Sequence, residues 1–269
     1  MERKRENGLV YYQFEQLAQL DGVKHAVFTR RGGVSSPPFD SLNVGSTVGD
    51  DPNSVAANRV RMAEALGLRE EDSQTTWQVH GAVVVTAAEG PPIGDLPPKA
   101  DGIITDQADV PLVMRFADCV PLIFYDPVRR VVGLAHAGWR GTVAGIGPAT
   151  VRAMAETYGS RPEDIFAGVG PSIGPCHYEV GPEVVAQVRE AFGSTQGLVE
   201  AGTESHGPHL DLWEANRRAL EKSGVRRIGV SGLCTACHTH EFFSHRAEAG
   251  RTGRFGAVIV MPNGHNGKA

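Results

Sequence analysis

Short apolar runs rich in β-branched residues alternate along the chain with longer segments whose apolar positions recur every three to four residues. That alternation predicts an α/β protein. Strands are expected over residues 25–29, 82–87, 102–105, 111–116, 122–125, 131–135, 165–169, 227–231 and 256–261, and helices over 52–66, 148–158, 182–192 and 212–223. Asp51 and Pro52 supply an N-cap and a first-turn proline for the first helix, and Gly67 stands just past its end. Asp211 can cap the last helix in the same way. Residues 89–98, EGPPIGDLPP, must be loop, because four prolines fix φ and remove donors. That loop is short enough to be an excursion within one domain, and the closing NGHNGKA reads as a frayed tail. The expected architecture is a single domain over residues 1–269, built as a mixed β-sheet with helices packed on it.

At 269 residues the chain can bury a substantial core, and 41% hydrophobic with 21% charged residues is an ordinary globular balance. The net charge of −5, with no long run of one sign, argues against a general nucleic-acid or membrane-surface binder. No stretch approaches the roughly 18 apolar residues of a membrane span, and MERKRENGLVYYQF has no apolar export segment after its charged start. The four cysteines, Cys119, Cys176, Cys234 and Cys237, are too few for a disulfide scaffold, so reduced thiols and a cytoplasmic location are expected. Nothing demands an oligomer, and a monomer is expected.

Three segments look wasteful as pure structure: Trp77-Gln78-Val79-His80-Gly81, Ala117-Asp118-Cys119-Val120-Pro121, and Ala135-His136-Ala137-Gly138-Trp139-Arg140-Gly141. Each sets a His or Cys at the edge of an expected strand, beside Gly or Pro. Residues at strand ends on one sheet edge converge on a shared crevice, so His80, Cys119 and His136 can meet there. Two imidazoles and one thiolate suit Zn²⁺ and leave a fourth position open, which marks a catalytic rather than a structural site. The plainer alternative is that each is a core residue.

Two further motifs rank lower. Cys234-Thr235-Ala236-Cys237-His238 fits covalent haem attachment, or a second metal site with His240, but a reduced thiol pair is the simpler reading. Gly170-Pro171-Ser172-Ile173-Gly174 fits a nucleophile elbow, but no helical pattern follows until Pro182, so a turn is expected.

Gln78-Val79-His80-Gly81, the segments around Cys119 and His136, and Gly170–Gly174, with Thr29-Arg30-Arg31-Gly32-Gly33-Val34-Ser35, Ser41-Leu42-Asn43-Val44-Gly45, Ala100-Asp101-Gly102, Phe242-Phe243-Ser244 and Thr252-Gly253-Arg254, form a dense ordered series over about residues 20–261. In this series the chain resembles the YfiH/YlmD family, called polyphenol oxidase or laccase-domain proteins and later purine nucleoside phosphorylases. The resemblance implies a single α/β domain similar to the cytotoxic necrotising factor deamidase. It implies His80, Cys119 and His136 as metal ligands, with zinc as the ion and copper possible. It also implies phosphorolysis of adenosine, inosine, guanosine and methylthioadenosine, with deamination of adenosine. The partners would then be purine nucleosides and phosphate, with neither nucleic acid nor membrane.

Phosphorolysis needs cations around a phosphate dianion, a task suited to arginine's planar fork. Arg30, followed by two glycines, is the first candidate; Arg140 and Arg246 come next, and Asn43 is a candidate for ribose or base. Asp118 is a candidate for proton transfer. His245 stands where the family commonly has Tyr, which bears on specificity. Three rivals remain: a cysteine hydrolase or amidase using Cys119 and His136, a copper-dependent polyphenol oxidase, and a metal-binding protein that senses nucleosides without turnover.

Overall fold

The computed structural model describes residues 1–87, 96–203 and 206–263. Most of the proline-rich loop 89–98 and the tail after residue 263 lie outside the described residues. A hairpin, β1 (Glu2–Glu6) and β2 (Leu9–Gln13), leads through α1 (Glu15–Ala18) into β3 (Lys24–Phe28). After a long loop come α2 (Pro52–Glu64), β4 (Val84–Thr86), β5 (Gly102–Thr105), β6 (Leu112–Phe116), β7 (Val120–Asp126) and β8 (Val131–Ala137). Helices α3 (Trp139–Val143) and α4 (Ile146–Tyr158) precede β9 (Phe166–Val169) and α5 (Pro182–Phe192). The chain continues with a ribbon of β10 (Val199–Glu200) and β11 (His209–Leu210), then α6 (Leu212–Lys222), β12 (Arg227–Val230) and β13 (Phe255–Val260).

The expected α/β class holds, but the single mixed sheet is corrected to two large sheets. One is antiparallel, in the order β1-β2-β3-β13-β6; the other is mixed, in the order β12-β9-β7-β8-β5-β4. The sheets pack face to face through Ile123, Val132 and Leu134 of one and Leu112, Met114, Phe255 and Ala257 of the other. Strands β7 and β8 are buried along their whole length, which explains near-continuous apolar runs instead of alternation. The outer face of the mixed sheet packs its alternate residues, Leu122, Phe124 and Ala135, against α4 and α6. The outer face of the antiparallel sheet takes Met62 of α2 against Phe28 and Val258.

Local signals account for the helix boundaries. Asp51 accepts from the Ser54 backbone N–H at 2.9 Å, and Asp211 accepts from that of Glu214 at 3.0 Å, so both expected caps form. Helix α4 starts two residues earlier than expected, at Ile146, because Pro148 sits in its first turn, where no intrahelical N–H is needed. The hairpin β1–β2 carries no apolar alternation in β1 and exists through its pairing with β2 and the pairing of β2 with β3. Among the described residues, no helix is long and apolar enough to cross a membrane.

Candidate active site

The crossing from one sheet to the other builds the site. Only residues 117–119 separate β6 of the antiparallel sheet from β7 of the mixed one, so Cys119 sits in the corner between them. Asp118 makes the corner in the left-handed conformation, at φ 76°. Its carboxylate accepts from the Thr235 hydroxyl at 2.6 Å and from the Arg246 backbone N–H at 2.7 Å, and its carbonyl accepts from Ile173 at 2.9 Å. Asp118 is thus engaged as a brace for the corner, against the proton-transfer role considered from sequence. His136, on β8 opposite Pro121 of β7, points into the space between the sheets, where its ring lies 5.6 Å from that of Phe116.

His80 arrives from a turn with φ 63°, a conformation costing a non-glycine residue about 1–2 kcal/mol. Asp101, fully buried beside β5, holds that turn. It accepts from the backbone N–H groups of His80 at 2.9 Å, Gly81 at 2.7 Å and Val79 at 3.2 Å, and it pairs with His136 Nδ1 at 2.8 Å. The pairing leaves Nε2 of His136 for the centre, the arrangement in which a carboxylate fixes the tautomer of a metal-ligating histidine. The sequence marked Ala100-Asp101-Gly102 as a motif without a role; this carboxylate is one residue the sequence reading missed.

The ligand atoms of His80, Cys119 and His136 all lie within 4.8 Å of one another, and the two imidazoles meet edge to face at 4.8 Å between centroids. Gly138 permits this approach, since a Cβ there would fall 2.8 Å from Cys119 Sγ and 3.1 Å from His80 Cδ2. Burial opposes ionisation of the Cys119 thiol, but the adjacent His136 imidazolium and hydrogen bonds from both histidines outweigh it and bring its pKa down to about 6. His136 is correspondingly raised: burial disfavours its charge, and the thiolate and Asp101 more than restore it. Asp101 is likewise buried yet kept ionised by His136 and the backbone donors. The donor set of two imidazoles and one readily ionised thiol can hold a borderline-soft divalent ion with one position open.

The triad opens on a cleft of about 710 Å³, within the usual range of small-molecule sites. Five arginines line it: Arg59, Arg115, Arg140, Arg246 and Arg254. None makes an ion pair with a carboxylate among the described residues. Burial, with the nearby charge of Arg59, brings Arg115 down to about 10. Five guanidinium groups against the single carboxylate of the lining, Asp118, which is taken up by Thr235 and the Arg246 backbone, make a site for an anion. Arg140 lies over the Trp139 ring at 4.5 Å, and Arg246 lies over Tyr178 at 5.3 Å while donating to the Glu179 carbonyl. His245 also lines the cleft.

Two expected site residues are not brought there. Arg30 donates to the Asp40 and Thr239 carbonyls and to Glu248, and it lies 4.4 Å over Phe243. Its fork is spent on structure, so the phosphate role expected of it is corrected. Asn43 is fully buried; its amide donates to Asp50 and Gly45, and its oxygen accepts from the backbone N–H groups of Gly45 and Arg254. That knot leaves nothing for ribose or base. Arg115 was detectable as a charge inside the apolar strand Leu112–Phe116, and Arg254 as the end of the Thr252-Gly253-Arg254 motif. The Gly170–Gly174 segment is the expected turn, with Ser172 fully buried and no helix directly after it.

Fold and site together define an α/β protein with a His–Cys–His centre able to hold a metal, opening on an arginine-lined cleft. The sequence model of the family described as multi-copper polyphenol oxidoreductase laccase matches residues 24–262, and the chain belongs to that family. A Deinococcus radiodurans relative named purine nucleoside phosphorylase is 45% identical over 250 residues, which cover 92% of this chain and 93% of that protein. A Geobacillus stearothermophilus relative, named purine nucleoside phosphorylase YlmD, is 42% identical over 88% of this chain and 90% of its own. The crystal structure of YlmD from that organism matches with a TM-score of 0.88 at 38% identity, covering 97% of this chain and 99% of that one.

Proposed function

We propose that the chain is a zinc-dependent purine nucleoside phosphorylase whose reaction centre is His80, Cys119 and His136. The observation that carries this reading is that triad within a cleft lined by five arginines, none of them ion-paired among the described residues. In phosphorolysis a phosphate oxygen bonds to the anomeric carbon of the nucleoside as the glycosidic bond breaks, and the purine leaves with that electron pair and gains a proton. The phosphate must be oriented against the sugar, a task for Arg140 and Arg254, with Arg59, Arg115 and Arg246 adding to the field that draws it in. His80, Cys119 and His136 would hold the ion, which when bound supplies a Lewis acid beside the nucleoside. Asp101 keeps His136 oriented and the 79–81 turn closed. Inosine, guanosine, adenosine and methylthioadenosine are the proposed substrates, and deamination of adenosine is assigned to the same centre. Copper is the alternative ion. Multicopper oxidation needs several His-rich sites, whereas the only other metal-competent cluster among the described residues is thiol-rich.

The test is chromatography of the purified protein incubated with inosine, with and without phosphate. Phosphate-dependent hypoxanthine release that a chelator abolishes is expected, and a protein that binds inosine without turnover refutes the enzyme reading. A second reading is a cysteine hydrolase, favoured by the Cys119–His136 thiolate–imidazolium pair. A stoichiometric metal that shields Cys119 from alkylation refutes it, because His80 would then be a ligand with no role in the hydrolase.

A further inference from the structure

Outside the triad, a second set of soft ligands is drawn together by the mixed sheet. Strands β9 and β12 run parallel, Phe166–Val169 beside Arg227–Val230, so their C-terminal ends leave the sheet side by side. The loops continue the pairing: Ser172 donates to the Leu233 carbonyl at 3.2 Å, and Thr235 donates to the Ser172 carbonyl at 3.0 Å. Cys176 and His177 lie on the first loop, and Cys234 and Cys237 on the second. His177 Nδ1 is 3.3 Å from Cys176 Sγ, 3.4 Å from Cys237 Sγ and 3.9 Å from Cys234 Sγ. Cys176 Sγ is 3.5 Å from Cys237 Sγ, and all four ligand atoms lie within 4.8 Å of one another.

We propose that Cys176, His177, Cys234 and Cys237 form a second, structural zinc site. A tetrahedral ion with the usual Zn–S and Zn–N bonds sets S–S edges at about 3.8 Å and S–N edges at about 3.6 Å. The S–N separations of 3.3, 3.4 and 3.9 Å bracket their edge, and the Cys176–Cys237 separation of 3.5 Å lies close below the S–S edge. Cys234-x-x-Cys237 has the ligand spacing of structural zinc sites, and four protein ligands leave no open position. The Gly174 backbone N–H donates to Cys234 Sγ at 3.2 Å, the outer hydrogen bond that a ligating thiolate accepts. Haem attachment at this Cys pair is displaced by the same geometry, because Cys234 is buried against His177 and Gly174. His238, expected from sequence as a partner of the pair, instead bonds the Cys234 carbonyl through Nδ1 at 2.9 Å.

The site clamps the two loops that support the cleft. Ile173, three residues before Cys176, and Thr235, between Cys234 and Cys237, both donate to Asp118, the neighbour of Cys119. Tyr178, next to His177, lines the cleft itself. The ion would therefore be a positioning element for the corner that carries Cys119.

The test is zinc content of the full chain after dialysis, read with variants that separate the two sites. In a His80→Ala/Cys119→Ala background one zinc equivalent is expected to remain, and adding Cys237→Ser should remove it. Zinc content that falls to zero in that background before Cys237 is changed overturns the proposal, as does content unaffected by Cys237→Ser. Because Cys237→Ser can fail to fold, mass-mapped alkylation of the wild-type chain provides a second arm. Cys176 and Cys237, both exposed, should be protected by zinc and labelled once a chelator removes it. Labelling equal in both states, or recovery of the two as a metal-free disulfide, refutes the site. Neither arm depends on nucleoside turnover.

Discussion

Replacing Asp101 with asparagine isolates the link between the buried carboxylate and the metal centre. Asp101 accepts four hydrogen bonds on two oxygens: three from the 79–81 turn and one from His136. Asparagine has the same shape but one oxygen, and its NH₂ group would face N–H donors. At least one backbone donor loses its partner, a cost of about 1–3 kcal/mol. The turn that holds His80 at φ 63° also loses much of what pays for its strain. Loss of a carboxylate behind a ligating histidine weakens metal binding by about 10–100-fold, or about 1.4–2.7 kcal/mol. Zinc competition with a chromophoric chelator measures that loss directly, beside a thermal melt. In the metal-free variant His136 loses the charge that favours its imidazolium, so Cys119 should ionise above its present value of about 6, as followed by the pH dependence of thiol alkylation. Zinc affinity within twofold of wild type, with an unchanged alkylation profile, would refute the reasoning.

Gly138→Ala places a Cβ against Cys119 Sγ and should weaken zinc binding by about tenfold or more in a chain that still folds, read by the same competition. Arg140→Gln removes a cation that bonds no other described group, so the KM for phosphate should rise about 10–100-fold at nearly constant melting temperature, as steady-state kinetics would show. Arg30→Ala should do the reverse, costing about 3 kcal/mol in urea denaturation while leaving phosphate KM unchanged, because it breaks a half-buried pair with Glu248. His25 is buried, with Nε2 accepting from the Phe14 N–H at 2.8 Å, and burial brings its pKa down to about 4. The unfolded chain takes up a proton below about 6.5 that the folded one refuses, so about 3 kcal/mol of stability should be lost as pH falls from 6.5 to 4. Urea midpoints in His25→Phe should lose that slope, and an unchanged slope would assign it to other groups.

The elements that follow from local chemistry were legible in the chain. Helices capped by Asp51 and Asp211, and the strands now seen as β7, β8 and β13, follow from capping residues and apolar runs that act within a few residues. The three segments with a His or Cys beside Gly or Pro were equally visible, because their residue types are costly unless chemistry uses them. The short α3 and the β1–β2 hairpin were not, since neither carries a periodic signal and both depend on contacts with distant residues.

By itself, then, the sequence determined an α/β chain, its capped helices and His80, Cys119 and His136 as the residues to bring together. Tertiary structure alone divided the strands into two sheets and put Cys119 in the corner between them. It also buried Asp101 behind His80 and His136, turned Arg30 and Asn43 into structural knots, and gathered Arg59, Arg115 and Arg254 around the cleft. The same division holds for Cys176 and His177, which meet Cys234 and Cys237 only because β9 and β12 are parallel neighbours. The physical reason is range. Capping and periodicity act over one turn or one strand, whereas what a charged or soft side chain touches depends on residues tens to hundreds of positions away.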